Sequence, residues 1–166
     1  AWAAQGEVDE ALIQRWLQLP YLQQRPPKST GRELFGQIDL EQRLRDLNQS
    51  ARQRSRGLEP ADALATLTAF TAAVVAQDLS RSPALVELLV AGGGARNRTL
   101  MAQLRRRCRG LELRPLAELG IGESDREALA FALLAWWHQQ GIPGSLPSVT
   151  GAARPAVLGV CAHPCR

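Results

Sequence analysis

Cysteine and histidine are scarce in this sequence: three and two among 166 residues. Cys108, Cys161 and Cys165 are odd in number and too few for a disulfide-built scaffold of this size, which points to a reducing cytoplasm. With only His138 and His163, no Ser/His/Asp or Cys/His constellation emerges. Lys28 is the sole lysine, and aromatic residues make up 5%. The longest uninterrupted apolar run, Ala128 to Trp137, is half of the roughly 20 residues a membrane-spanning helix needs. No basic, then apolar, then small-residue leader opens the chain. It starts Ala1-Trp2-Ala3-Ala4 without Met, as a piece of a longer or processed protein would.

What is present is the composition of a globular chain, 45% hydrophobic and 22% charged, enough to bury a core. A net charge of +4 is too small a surplus to argue for nucleic acid. Val8, Leu12, Ile13, Trp16 and Leu17 recur at helical spacing, predicting a helix over 7–19 stopped by Pro20. Ile38, Leu40, Leu44 and Leu47 predict a second helix, and the polar, basic stretch 48–58 an exposed linker. Pro60 suits a first helical turn, and Leu64, Leu67, Phe70, Thr71, Val74, Val75 and Leu79 line a long helix over 60–79, ended by Pro83. Its Ala and Thr content allows close packing.

Leu85 to Val90 reads as a buried strand running into Gly92-Gly93-Gly94, with a helix over 97–108 behind it. A short strand at 111–114, a loop at 115–123 and a fifth helix ending by Gly141 follow, with Ser124 or Asp125 as its cap. That helix carries Leu129, Phe131, Leu133, Leu134, Trp136 and Trp137, and residues 156–160 form a last strand or packed tail. Helices dominate. Two strands make too small a sheet for a doubly wound domain, so further strands are expected upstream.

The strand–triple-glycine–helix junction is the sharpest local feature. Glycines let a backbone approach a ligand, and the helix that follows presents free N–H groups. The pattern is neither G-x-G-x-x-G, since Asn97 holds the sixth position, nor a Walker A loop. A plain tight turn is the alternative. Lys28-Ser29-Thr30-Gly31-Arg32-Glu33 offers phosphate-friendly groups without a glycine lead-in, and Thr30 with Glu33 fits a capping box better. Glu123, Asp125 and Glu127 sit where a helix dipole favours acids. Arg105, Arg106, Arg107 and Arg109 read as a solvated helix end, and Arg52, Arg54 and Arg56 as a second basic cluster. Cys161, His163 and Cys165 lack a fourth ligand and read as a frayed tail. His138 reads as a partly exposed helix-end residue.

Several stretches together resemble one family. Residues 1–6, the run Pro26-Pro27-Lys28-Ser29-Thr30-Gly31-Arg32-Glu33-Leu34-Phe35, Ala65 to Ala72, Ala91 to Asn97, Glu127 to Ala132 and Leu146 to Ala152 look like the bacterial anhydro-N-acetylmuramic acid kinases, in the family's order. The resemblance covers residues 1 to about 160, the family's C-terminal portion, with 161–166 as a tail. It implies an α/β fold: a helix-rich, incomplete second lobe of the RNase-H-like, actin-like sugar kinases, with strands missing upstream. It implies a cytoplasmic enzyme of peptidoglycan recycling. Such an enzyme uses ATP, Mg²⁺ and water to open 1,6-anhydro-N-acetylmuramic acid, giving N-acetylmuramic acid 6-phosphate.

Carried over residue by residue, Gly92, Gly93, Gly94 and Asn97 match the adenosine-side motif, and Glu127 a position near the sugar. A β-branched residue at Gly93 is expected to crowd the turn. The phosphate motifs, metal clamp and general base are expected upstream of Ala1, so the stretch alone should not transfer phosphate. Ala91 stands where the family often has Cys, and Cys161 to Arg166 departs from its usual finish. The expected partners are ATP and the anhydro-amino-sugar, with no nucleic acid and no membrane; a homodimer stays open. The rival reading is a non-catalytic remnant or interaction module on the same scaffold.

Overall fold

Asp9 starts the first helix by accepting the Leu12 N–H at 3.1 Å, the contact a helix N-terminus lacks without a cap. Helix α1 then runs Glu10–Leu17 and buries Leu12, Ile13, Trp16 and Leu17, the stripe its spacing predicts. Pro20 bars its continuation as expected, since Leu19 ahead of it is held out of the helical region at φ −51°, ψ 127°. The helix ends before it, and Pro20 occupies the first turn of a short α2, Pro20–Gln23, where a missing N–H costs nothing.

Helix α3, Gln37–Gln53, continues six residues into the expected exposed linker. The linker reading is wrong because this basic stretch has a buried acidic partner, Asp9. Ser50 Oγ donates to Asp9 Oδ2 at 2.6 Å, Arg54 pairs with the same oxygen at 2.7 Å, and Ala51 is buried. Arg56 reaches Glu7 and Asp62, both at 3.1 Å. Before α3, no helix follows Thr30, so the capping box does not form. Glu33 instead accepts the Gly31 N–H at 2.6 Å and closes a turn.

The central α4, Pro60–Leu79, has the predicted bounds; Phe70 is buried and Leu67, Val74, Val75 and Leu79 pack against the core, but its most buried residues are small. Ala63, Ala65, Thr66, Ala69, Ala72 and Ala73 are buried with Phe70, while Leu64 and Thr71 are exposed. Small residues let neighbours approach the α4 axis from two directions, and this outweighs the burial of larger side chains on one face. One side meets Leu12, Ile13, Trp16, Leu22 and Leu47; the other meets Met101, Leu104 and Cys108. Gly6 is obligatory at the entry: a Cβ there would collide with the Ala61 carbonyl.

Arg43 of α3 lies within the first cluster. Asp39 holds it in a fork at 2.7 and 2.8 Å, and its guanidinium stands 4.1 Å from the Phe70 ring centre and 4.9 Å from that of Trp16. Its Nη1 is buried without a hydrogen-bond partner, so the two ring faces stabilise the cation in place of an acceptor.

Beyond α4, β1 (Glu87–Val90), α5 (Arg98–Arg107) and β2 (Glu112–Pro115) form a parallel β-α-β unit. Glu87 pairs with Glu112 and Val90 with Pro115 in register. β1 is not the fully buried strand its apolar run predicts. Leu88 and Val90 face α5, whereas Glu87 and Leu89 are exposed. Arg114 bridges Glu87 and Glu118, each at 2.7 Å, on the charged face of the sheet.

The computed structural model describes residues 2–81, 86–122 and 125–162. The expectations for Pro83, Leu85, Glu123, Ser124, His163 and Cys165 fall outside them. The chain divides into Ala1–Gln24 with Thr30–Glu123, and Arg25–Ser29 with Ser124–Arg166. The second unit holds α6 (Arg126–Gln139) and the short α7 (Pro147–Thr150). Asp125 precedes α6 but makes no side-chain cap bond, and α6 has no buried residue: Phe131 is 70% and Trp136 55% exposed. Residues 156–160 form no strand, and Val160 is 94% exposed. Among the described residues this gives a helix-rich α/β structure with a two-stranded parallel sheet, and no helix is long and apolar enough to cross a membrane.

The two described cysteines differ in reactivity. Cys108 is buried beside Met101 and Leu104, and burial pushes its thiol pKa up, so it stays protonated. Cys161 is exposed. Alkylation of the native chain at neutral pH should modify Cys161 and spare Cys108 until denaturant is added. Peptide mass mapping that finds Cys108 modified at the same rate would contradict its burial.

Candidate functional site

Val90 ends β1 half-buried against the core, and two residues later the backbone turns through Gly92 at φ 80°, ψ −176°. That region of backbone space is essentially confined to glycine. A single 3₁₀ turn, Gly93–Arg96, follows, closed by Ala95 N–H to Gly92 O at 3.1 Å and Asn97 N–H to Gly94 O at 3.0 Å. Asn97 then caps α5, its Oδ1 accepting from Thr99 and Leu100, both at 3.1 Å. Gly92, Gly93, Gly94 and Asn97 are therefore gathered into one turn at the carboxyl end of a parallel strand. This is where open α/β sheets bind ligands.

A Cβ added at Gly92 or Gly93 meets nothing within 4 Å, and one at Gly94 would touch only Leu100, at 3.5 Å. The turn has an open side. The expected crowding at Gly93 is not present: Gly93 is not among the positive-φ glycines and its surroundings are empty. Backbone conformation makes Gly92 the constrained position. Asn97 is already engaged as a cap, leaving its Nδ2 as the group a ligand could take.

Glu127, in the first turn of α6, is highly exposed and lies 3.7 Å from Arg126, too far for a strong pair. It belongs to the other unit. There, His138 Nδ1 meets the Leu158 carbonyl at 3.0 Å, which requires the proton on Nδ1. Phe131, Leu134, His138, Leu158 and Val160 line a mainly apolar cleft of about 750 Å³. Periodicity could not reveal this cleft, because half of its wall comes from an irregular segment. No group of three or more His, Cys, Asp or Glu gathers among the described residues.

The family model for anhydro-N-acetylmuramic acid kinase matches residues 1–164. The chain belongs to this kinase family. A relative of that name from Parasynechococcus marenigrum (strain WH8102) is 57% identical over 99% of this chain. One from Synechococcus sp. (strain WH7803) is 56% identical over the same share, and one from Prochlorococcus marinus (strain MIT 9211) is 44% identical over 98%. The chain spans 42% of the length of each of these three relatives. Within the family stretch, the Ala91–Asn97 motif is the turn just described, and the segment Ala65 to Ala72 supplies the small-residue face of α4.

Proposed function

We propose that this chain supplies the nucleotide-side part of a cytoplasmic, ATP-dependent kinase of peptidoglycan recycling. The reaction opens 1,6-anhydro-N-acetylmuramic acid with water and yields N-acetylmuramic acid 6-phosphate. The observation that carries the reading is the open Gly92–Gly94 turn feeding the N-terminus of α5, in a chain of this family. Residues 1–160 act as the C-terminal lobe of an actin-like, RNase-H-like architecture whose other strands come from the remaining length of the relatives. Residues 161–166 are a tail.

The turn suits the adenosine side of ATP. Gly92 and Gly93 leave their backbone uncovered, and the Asn97 amide is available beside them. ATP supplies the phosphoryl group when bound. Glu127, exposed on α6, contacts the sugar through its carboxylate. The general base and the metal clamp come from the part of the relatives that this chain does not match, because a base must lie within hydrogen-bond reach of the nucleophile.

The test is a replacement experiment. This chain is grafted in place of the matching segment of the Parasynechococcus marenigrum relative, and consumption of ATP and anhydro-sugar is followed. The graft should turn over, and the 166 residues alone should not. Glu127→Gln in the graft should raise KM for the sugar about tenfold while leaving KM for ATP unchanged, since only one charge-assisted hydrogen bond is weakened. Turnover by the isolated chain, or a graft that binds neither substrate, would overturn the assignment.

A further inference from the structure

A basic cleft of about 490 Å³ lies on the first unit, at the end of α5 opposite the glycine turn. Its floor is Leu17 of α1 and Ala73 of α4, both buried. Its walls carry Gln14 from α1 and Arg106, Arg107 and Arg109 from the end of α5 and just beyond it. These arginines were expected to form a solvated helix end, and that reading is incomplete. Arg106 and Arg107 both reach the same oxygen of Glu10, at 2.8 and 2.7 Å. Arg107 is largely buried, and its Nε also donates to Gln103 at 3.2 Å, so its guanidinium is held in position. Among the described residues Arg109 makes no hydrogen bond or ion pair.

Two guanidinium charges therefore converge on one carboxylate, and Arg109 adds a third to the cleft lining. The carbonyl end of α5 adds roughly half a negative unit, and the surplus remains positive. We infer that this cleft is a binding site for a phosphate group, free or carried on a small ester. A carboxylate would be satisfied by one forked guanidinium. A phosphate has enough oxygens to accept from several, and arginine is the side chain suited to it. Glu10 competes for the same donors in the empty cleft. An entering phosphate shares Arg106 and Arg107 with it and recruits Arg109 and the Gln14 amide. The site is independent of the glycine turn and of the reaction proposed above, and its role would be that of an effector site.

Calorimetric titration of the intact chain at low ionic strength, with inorganic phosphate and separately with glucose 6-phosphate, tests this. Arg109→Ala and Arg106→Ala, both exposed residues whose loss leaves the core intact, should each weaken binding about tenfold, the loss of a charge-assisted contact. Glu10→Gln should tighten it several-fold by removing the competing charge. Equal affinity for the two probes assigns the site to free phosphate; tighter binding of glucose 6-phosphate assigns it to an ester. Absence of binding by either probe overturns the proposal. So does binding that all three substitutions leave unchanged, as phosphate at the N-terminus of α5 would behave.

Discussion

Asp9→Ala should cost the first unit about 3 kcal/mol of stability, because it breaks a buried, multiply hydrogen-bonded ion pair. The carboxylate is buried and accepts from three elements: the Leu12 N–H of its own helix, Ser50 Oγ of α3, and Arg54 just after α3. Its backbone N–H donates to Thr66 Oγ1 of α4 at 3.0 Å, and Thr66 is fully buried. Removing the side chain uncaps α1, leaves Ser50 without its acceptor and strips Arg54 of its partner. Because Arg54 is 41% exposed, water recovers part of the loss, which keeps the estimate below the upper end for buried pairs, about 5 kcal/mol.

The same contacts set a pH dependence. Burial alone would raise the Asp9 pKa, but the Ser50 and Leu12 hydrogen bonds and the Arg54 charge outweigh it and hold it below the ordinary value. A carboxylate depressed in the folded state contributes its full stabilisation above its unfolded pKa, about 3.9, and loses it as the pH falls through the folded value. Urea unfolding of the parent chain and of Asp9→Asn should therefore differ most near neutrality and converge below about pH 4. A difference under about 0.5 kcal/mol at pH 7, within the range of ordinary surface substitutions, would remove Asp9 from this role.

The second large effect is expected at Gly92. Gly92→Ala forces an L side chain to φ 80°, ψ −176°, at a cost of roughly 1–3 kcal/mol. Because a Cβ there meets nothing within 4 Å, the cost is conformational and falls on the shape of the turn. In the grafted enzyme, affinity for ATP should fall by about tenfold or more, since 1.4 kcal/mol corresponds to a factor of ten. Gly93→Ala separates turn shape from ligand contact. Its backbone is not at positive φ and its surroundings are open, so the fold should be unaffected. A loss of ATP affinity in Gly93→Ala without loss of thermal stability would place the nucleotide against that residue. Unchanged ATP affinity in both variants would remove the turn from the nucleotide site.

Much of the fold is written locally. Leu12, Ile13, Trp16 and Leu17 announce α1, Pro60 and the run that follows it announce α4, and the apolar run before Gly92 announces β1. The Gly92–Asn97 turn could be found because glycine at a strand end and asparagine at a helix start each answer a backbone need that composition displays. Three features were beyond sequence reading because they depend on partners distant in the chain. The stretch 48–53 became helix rather than linker once Ser50 and Arg54 met Asp9, 41 residues away for Ser50. The most buried positions of α4 fell to its small residues because two sets of neighbours approach it closely. Arg43 became a core residue because Trp16 and Phe70 surround its charge.

The basic cleft follows the same rule. Arginines near the end of a helix are favoured locally by the helix dipole, and only the docking of α1 puts Glu10 and Gln14 opposite them. By itself the sequence determined α1, α4 and α5, the strand-to-helix turn and the family, all of which rest on periodicity or on contiguous motifs. The tertiary structure decided which faces are buried and which charges are paired, because those depend on through-space distances that spacing along the chain does not encode.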